Sequence, residues 1–269
     1  MIAPDGTVYD ITGDGPPVVL VHGLGLDRHM WQWLLPDLAG FRVLTYDLLG
    51  HGESPNPVGE INLTAFSEQI IRLIDHCGIT RCAIAGFSLG GMIARRLAID
   101  HADRLTALAI LNSVHDRTPE ERAAIMVRVE LSRHSGPAAT VEAALERWFT
   151  EPFRRANPGV IDQVRRWVLA NRPDVYPEIY RVLAQGDAEL TGPIGAIRCP
   201  TLVMTTEEDY GNSPDMTLRM AKAIPGAEAV ILPGLRHMGL AENPAMFNSP
   251  LVRFLSSALL PNLGGNDER

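Results

Sequence analysis

The stretch CAIAGFSLGGMIARRLA, residues 82–98, opens as an apolar run, breaks at Gly86-Phe87-Ser88-Leu89-Gly90 and resumes with helical spacing. A strand that turns straight into a helix leaves no room for side chains on either side of the corner. Glycines two residues before and two after the central residue fit that crowding. The residue between them, Ser88, is forced out at the sheet edge with its hydroxyl at a helix N-terminus, where amides and the helix dipole favour developing negative charge. This is the G-x-S-x-G arrangement of a nucleophilic serine. The competing reading is a tight-packing turn in which Ser88 is merely small, and the flanking sequence must separate the two.

Outward from this corner, short β-rich runs alternate with helical segments. PVVLV (17–21), FRVLTYD (41–47), RCAIAG (81–86) and LTALAILN (105–112) are nearly continuous apolar runs, as expected of strands buried on both faces of a parallel sheet. RHMWQWLLPDLA, LTAFSEQIIRLIDHCG and GMIARRLAIDHA read as the helices between them, the second carrying Phe66, Ile70, Leu73, Ile74 and Cys77 on one stripe and Gly78 as its stop. The alternation predicts an α/β fold with a mostly parallel, doubly wound sheet. From residue 117 to about 190 the pattern is helical only, opened by the capping sequence Thr118-Pro119-Glu120-Glu121. Strand-like sequence returns at PTLVMTT (200–206) and AEAVILP (227–233), with helix starts at Ser213-Pro214 and Asn243-Pro244. The expected division is a core of 1–116 and 191–269 with a helical insertion at 117–190. The tail PNLGGNDER reads as disordered.

The bulk properties narrow the class. Hydrophobic content of 46% with 21% charged residues is that of a soluble globular chain. A net charge of −8 argues against nucleic acid as a partner, since phosphate binding needs concentrated Lys and Arg. A small anionic substrate needs only one or two well-placed arginines. The cysteines, Cys77, Cys82 and Cys199, lack metal-ligand spacing and read as small core residues. No stretch is long and apolar enough to span a membrane, and the first residues lack a signal-peptide pattern, so the expected location is cytoplasmic.

A serine at the elbow needs a base, an orienting acid and an oxyanion hole. Of the eight histidines, His237 in LPGLRHMGLAENP lies on a loop after a strand-like run, the side on which open α/β sheets place their sites. His115 also follows a strand, whereas His76, His101 and His134 fall in helical patterns. For the acid, LVMTTEEDYGNSP offers Glu207, Glu208 and Asp209, and Asp116 is a fourth candidate. Asp209 is favoured, because Ser88, Asp209, His237 is the chain order of α/β-hydrolase triads. VVLVHGLGLDRHMW places backbone amides beside the elbow, so the Leu24 and Leu89 N–H groups are the expected oxyanion donors. His22 reads as a structural hydrogen-bonding residue.

Together the segments VVLVHGLGLDRHMW, TYDLLGHGESP, AGFSLGGMIARRLA, CPTLVMTTEED and LPGLRHMGLAENP resemble the α/β-hydrolase superfamily, over about residues 17 to 245. The resemblance implies a lid of helices at 117–190 and serine-hydrolase chemistry on a small-molecule substrate, with no metal or organic cofactor. Little chain precedes PVVLV, so the family's first antiparallel strand is expected to be short or missing. Thr206 departs from the glycine that many relatives carry before the acid-bearing loop. The insertion resembles the lid of 3-oxoadipate enol-lactonases. That likeness implies a lactone substrate with a carboxylate, paired with Arg133 and bounded by Trp148. Hydrolysis of an acyclic enamide, of a C–C bond in another ring-fission product or of a general carboxylic ester uses the same triad. Cofactor-free haloperoxidases and oxygenases and non-catalytic receptors share the fold.

Overall fold

Pro17–Val21 (β2) and Cys82–Phe87 (β4) are buried along almost their whole length and lie side by side, parallel, at the centre of the sheet. The computed structural model describes residues 1–260, so the tail expected to be disordered, 261–269, lies outside the described residues. Around this pair stand Tyr9–Thr12 (β1), Arg42–Tyr46 (β3), Leu105–Leu111 (β5), Thr201–Thr206 (β6) and Glu228–Leu232 (β7) in the order β1-β3-β2-β4-β5-β6-β7. Every pairing is parallel except β1 with β3, so the first antiparallel strand is present and only four residues long. The chain leaves β2 in one direction to form β3, then crosses back to place β4 on the other side. That reversal opens a crevice between the carboxyl ends of β2 and β4.

Continuous apolarity in the strands follows from burial on both faces. Val19 and Val21 point into one core, packed by Leu63–His76 (α1) and Leu89–Asp100 (α2), while Val18 and Leu20 point into a second core with Trp31, Phe247 and Leu251. The helix starts follow the expected chemistry. Asn62 caps α1 through Ala65 N–H, and Thr118 and Glu121 form a reciprocal capping box at Pro119–Ser135 (α3). Ser213 and Asn243 cap the helices that begin at Pro214 and Pro244. Gly78, at φ +67°, ends α1.

RHMWQWLLPDLA is a correction. In place of one α-helix it forms two 3-10 segments, Arg28–Trp33 and Leu35–Leu38. Pro36 has no N–H to donate back to Gln32, and its ring crowds that turn, so an α-helix cannot run through.

Between β5 and β6 the chain forms α3, Val141–Trp148 (α4), Glu151–Ala156 (α5), Pro158–Leu169 (α6), Tyr176–Gln185 (α7) and Asp187–Thr191 (α8). After β6 come Pro214–Ala223 (α9), Gly239–Glu242 (α10) and Pro244–Leu259 (α11). Among the described residues no helix is long and apolar enough to cross a membrane.

The corner itself is sterically closed. A Cβ on Gly86 would lie 2.2 Å from the Gly90 carbonyl oxygen, and one on Gly90 would lie 2.1 Å from that of Val21. Gly90→Ala is therefore expected to lower stability by about 2 kcal/mol or more through overpacking against backbone, read as a lower urea midpoint at unchanged slope.

Candidate active site

Ser88 sits between β4 and α2 at φ 55°, ψ −113°, a conformation few side-chain-bearing residues adopt. Two contacts from the β5 side hold it there: Ser88 N–H donates to Leu111 O at 2.8 Å, and the Ser113 hydroxyl donates to Ser88 O at 2.8 Å. Its side chain enters a pocket lined also by Gly23, Leu24, Phe87, Asp209 and His237.

The base and acid candidates meet there. His237 Nδ1 lies 2.6 Å from Asp209 Oδ2, both residues being buried. The other carboxylates are engaged elsewhere. Glu207 accepts from Gly234 N–H, Glu208 pairs with Arg236, and Asp116 pairs with Arg219. His101 pairs with Glu68, and His115 is buried on the loop after β5 without lining the pocket. The rings of Phe87 and Trp148 lie 4.8 and 5.8 Å from that of His237. An imidazole fixed by a carboxylate at Nδ1 presents Nε2 as a proton acceptor.

Two asparagines and a glycine amide that the sequence did not single out hold Asp209. Asp209 Oδ2 accepts from Asn112 Nδ2 at 2.9 Å, and Oδ1 accepts from the Asn212 and Gly211 amides at 3.1 and 3.2 Å. Asn112 Nδ2 also donates to the Thr206 hydroxyl, which in turn donates to Arg236 O. Thr206 thus ties the ends of β5 and β6 to the loop that carries His237. Its hydroxyl does structural work where a glycine has none to offer. Asn112 stands at φ 46°, a left-handed conformation that Asn tolerates better than most, which is the one sequence-level hint of its position.

The remaining predicted residues separate. Leu24 lines the pocket, while the Leu89 amide opens α2 and so has no intrahelical acceptor. Among the described residues neither amide donates to a turn, loop or side-chain acceptor. Trp148 lines the pocket beside His237. Arg133 does not line it: its half-exposed side chain is paired with Glu178 of α7 at 3.2 Å. Five residues rotate a helix by about 140°, so the arginine that faces the pocket from α3 is Arg128. Arg117 and Arg147 line it too. Arg147 was legible in principle, because Thr140, Ala144, Arg147 and Trp148 recur at the i, i+4, i+7, i+8 spacing of one helix face and all line the pocket.

The family model for the alpha/beta hydrolase fold matches residues 16–244. The chain belongs to this family. It is 28% identical over 253 residues, 93% of this chain and 94% of the relative, to (E)-2-((N-methylformamido)methylene)succinate hydrolase of Acinetobacter baylyi. Among solved structures, the enol-lactonase from Burkholderia xenovorans is similar, with TM-score 0.87 and 30% identity over 94% of this chain and 98% of that one. A malate-bound thermophilic esterase from Thermogutta terrifontis aligns with TM-score 0.85 and 29% identity over 96% of both chains.

In this α/β-hydrolase, two histidines brace the pocket floor rather than facing it. His22 Nε2 accepts from Leu48 N–H at 2.9 Å and its Nδ1 faces Gly23 O. His51 Nε2 accepts from Gly25 N–H at 3.1 Å. His22 is thus the structural hydrogen-bonding residue its position predicted. Burial pulls His22 down to about 4, and burial with the adjacent His22 pulls His51 down to about 3. Both stay neutral in the folded protein at pH values where the unfolded chain, near 6.5, takes up a proton. Stability conferred by the neutral rings is thus full above pH about 6.5 and is lost as pH falls toward 4. The melting temperature is expected to drop steadily between pH 7 and pH 4.5. His22→Gln and His51→Gln should each flatten that slope by close to one proton.

Proposed function

We propose that this chain is a serine hydrolase in which Ser88 attacks, His237 relays the proton and Asp209 orients and stabilises the imidazolium. The observation that carries the reading is the 2.6 Å contact of His237 Nδ1 with Asp209 Oδ2 in the pocket that Ser88 enters from its strained turn. His237 Nε2 takes the Ser88 proton as Oγ adds to a carbonyl carbon. The oxyanion accepts from the Leu24 and Leu89 amides, each such donor contributing about 3 kcal/mol to the transition state. On collapse, the leaving oxygen or nitrogen takes the proton from His237. Water, deprotonated by His237, then attacks the acyl-enzyme, releasing the carboxylic acid and restoring Ser88. Residues 117–190 act as the lid, and Trp148 closes the pocket over the imidazole.

The substrate is a small carbonyl compound that bears a carboxylate. The pocket arginines support this, as does the enol-lactonase likeness; the best single candidate is an enol-lactone of the 3-oxoadipate type, from aromatic catabolism. The relative that acts on a methylformamido-methylenesuccinate favours an acyclic enamide as the second reading. The acidic group is met by arginines other than Arg133, whose partner is Glu178.

A fluorophosphonate probe should label the protein stoichiometrically at Ser88, and Ser88→Ala should abolish both labelling and turnover with its melting temperature retained. Asp209→Asn should lower kcat by about 10³- to 10⁴-fold. Labelling at another residue, or full turnover by Ser88→Ala on a panel of enol-lactones, aryl esters and dicarboxylic enamides, removes the assignment.

A further inference from the structure

Three arginines line the pocket, and they are not equivalent. Arg117 is matched: its guanidinium pairs with Asp187 at 3.3 Å and donates to Leu183 O at 2.8 Å, and its own N–H reaches the same carboxylate. Arg128 is held by a neutral group, its Nε donating to the Tyr180 hydroxyl at 3.1 Å. Arg147 has neither a carboxylate nor a hydrogen-bond acceptor among the described residues, and Arg128 likewise has no ion pair there. The nearest carboxylate in sequence to Arg147, Glu146, is exposed. Among the described residues the one acidic group on the pocket wall, Asp209, is already tied to His237.

Two guanidiniums therefore share a partly buried pocket without counter-charge. Water solvates them less well there, and Arg147 is lowered from its ordinary value, by burial first and by Arg128 second. Such an arrangement gains when two negative charges enter together. Guanidinium forks match carboxylates in a planar, bidentate geometry that a hydroxyl or amide does not reproduce. Trp148, Tyr176 and Tyr180 supply aromatic walls to the same space.

We propose that Arg128 and Arg147 form a paired subsite for two free carboxylates of one substrate, distinct from the carbonyl that Ser88 attacks, which favours the dicarboxylic enamide over the enol-lactone, whose second carboxyl is tied up in the ring. Arg128, from α3, is the residue that distinguishes such a substrate from a monoacid. The inference rests on the hydrolase reading above for what happens at Ser88, but ligand recognition can be measured without turnover.

The test is calorimetric titration of succinate and glutarate against butyrate and valerate, in the wild-type protein and in Ser88→Ala. The diacids are expected to bind about 10- to 100-fold more tightly than the monoacids of equal length, the worth of one charged hydrogen-bonded pair. Arg128→Gln and Arg147→Gln should each erase that preference. Arg128→Lys, which keeps the charge without the fork, should restore part of it. Unfolding curves for each variant separate a lost subsite from a lost fold. Equal affinity for diacids and monoacids, or a diacid preference that survives in folded Arg128→Gln, overturns the proposal. If the preference holds while Ser88 resists the fluorophosphonate probe, the subsite stands and the hydrolase reading falls.

Discussion

The close approach of α2 to the end of β2 governs the site. With 2.1 Å between the Val21 carbonyl oxygen and any Cβ on Gly90, the first turn of α2 touches the strand beside it as backbone on backbone. Gly23 belongs to the same contact, since a Cβ there would lie 3.2 Å from Ser88 Cβ. This proximity brings the loop after β2 and the amide that opens α2 to the same side of Ser88. Bulk at Gly90 meets backbone and separates the two turns, and no repacking of side chains elsewhere recovers the distance.

Much of this was legible in the chain. Buried parallel strands announce themselves as unbroken apolar runs, and helix starts announce themselves through caps such as Thr118-Pro119 and Asn243-Pro244, because both signals are local. The positions of Ser88, Asp209 and His237 were legible because each follows a strand at its carboxyl end. Other features were masked by the apolar pattern or depend on tertiary contact. Pro36 converts a helical pattern into two 3-10 turns, a local signal that the apolar spacing masked. The contribution of Asn112 arises only when β5 and β6 lie side by side, whereas Asn212 meets Asp209 within one turn of the same loop. The rotation that turns Arg133 toward Glu178 and Arg128 inward follows from how α3 seats on α7, which spacing within α3 alone does not fix.

The pocket is electrostatically divided. Near the sheet, polar groups are neutral or internally matched: His22 and His51 are held uncharged by burial, and the Asp209 carboxylate accepts from backbone, asparagine and histidine donors. On the helical side, positive charge is left over. A charged ligand entering this space is pulled toward the helices by its anionic end, which leaves its uncharged portion toward the strand ends. Orientation then follows from charge, with shape only trimming the fit.

Thr206 and Gly239 carry a consequence of their own. A Cβ on residue 239 would stand 2.7 Å from the Thr206 methyl, so the threonine is accommodated only because its neighbour across the loop has no side chain. The hydroxyl that links Asn112 to the histidine-bearing loop therefore comes with an obligation elsewhere in the chain. Over evolutionary time the two positions are not free to drift separately: a lineage that acquires bulk at 239 must first give up the methyl at 206, and serine sheds that methyl while keeping the bridging hydroxyl.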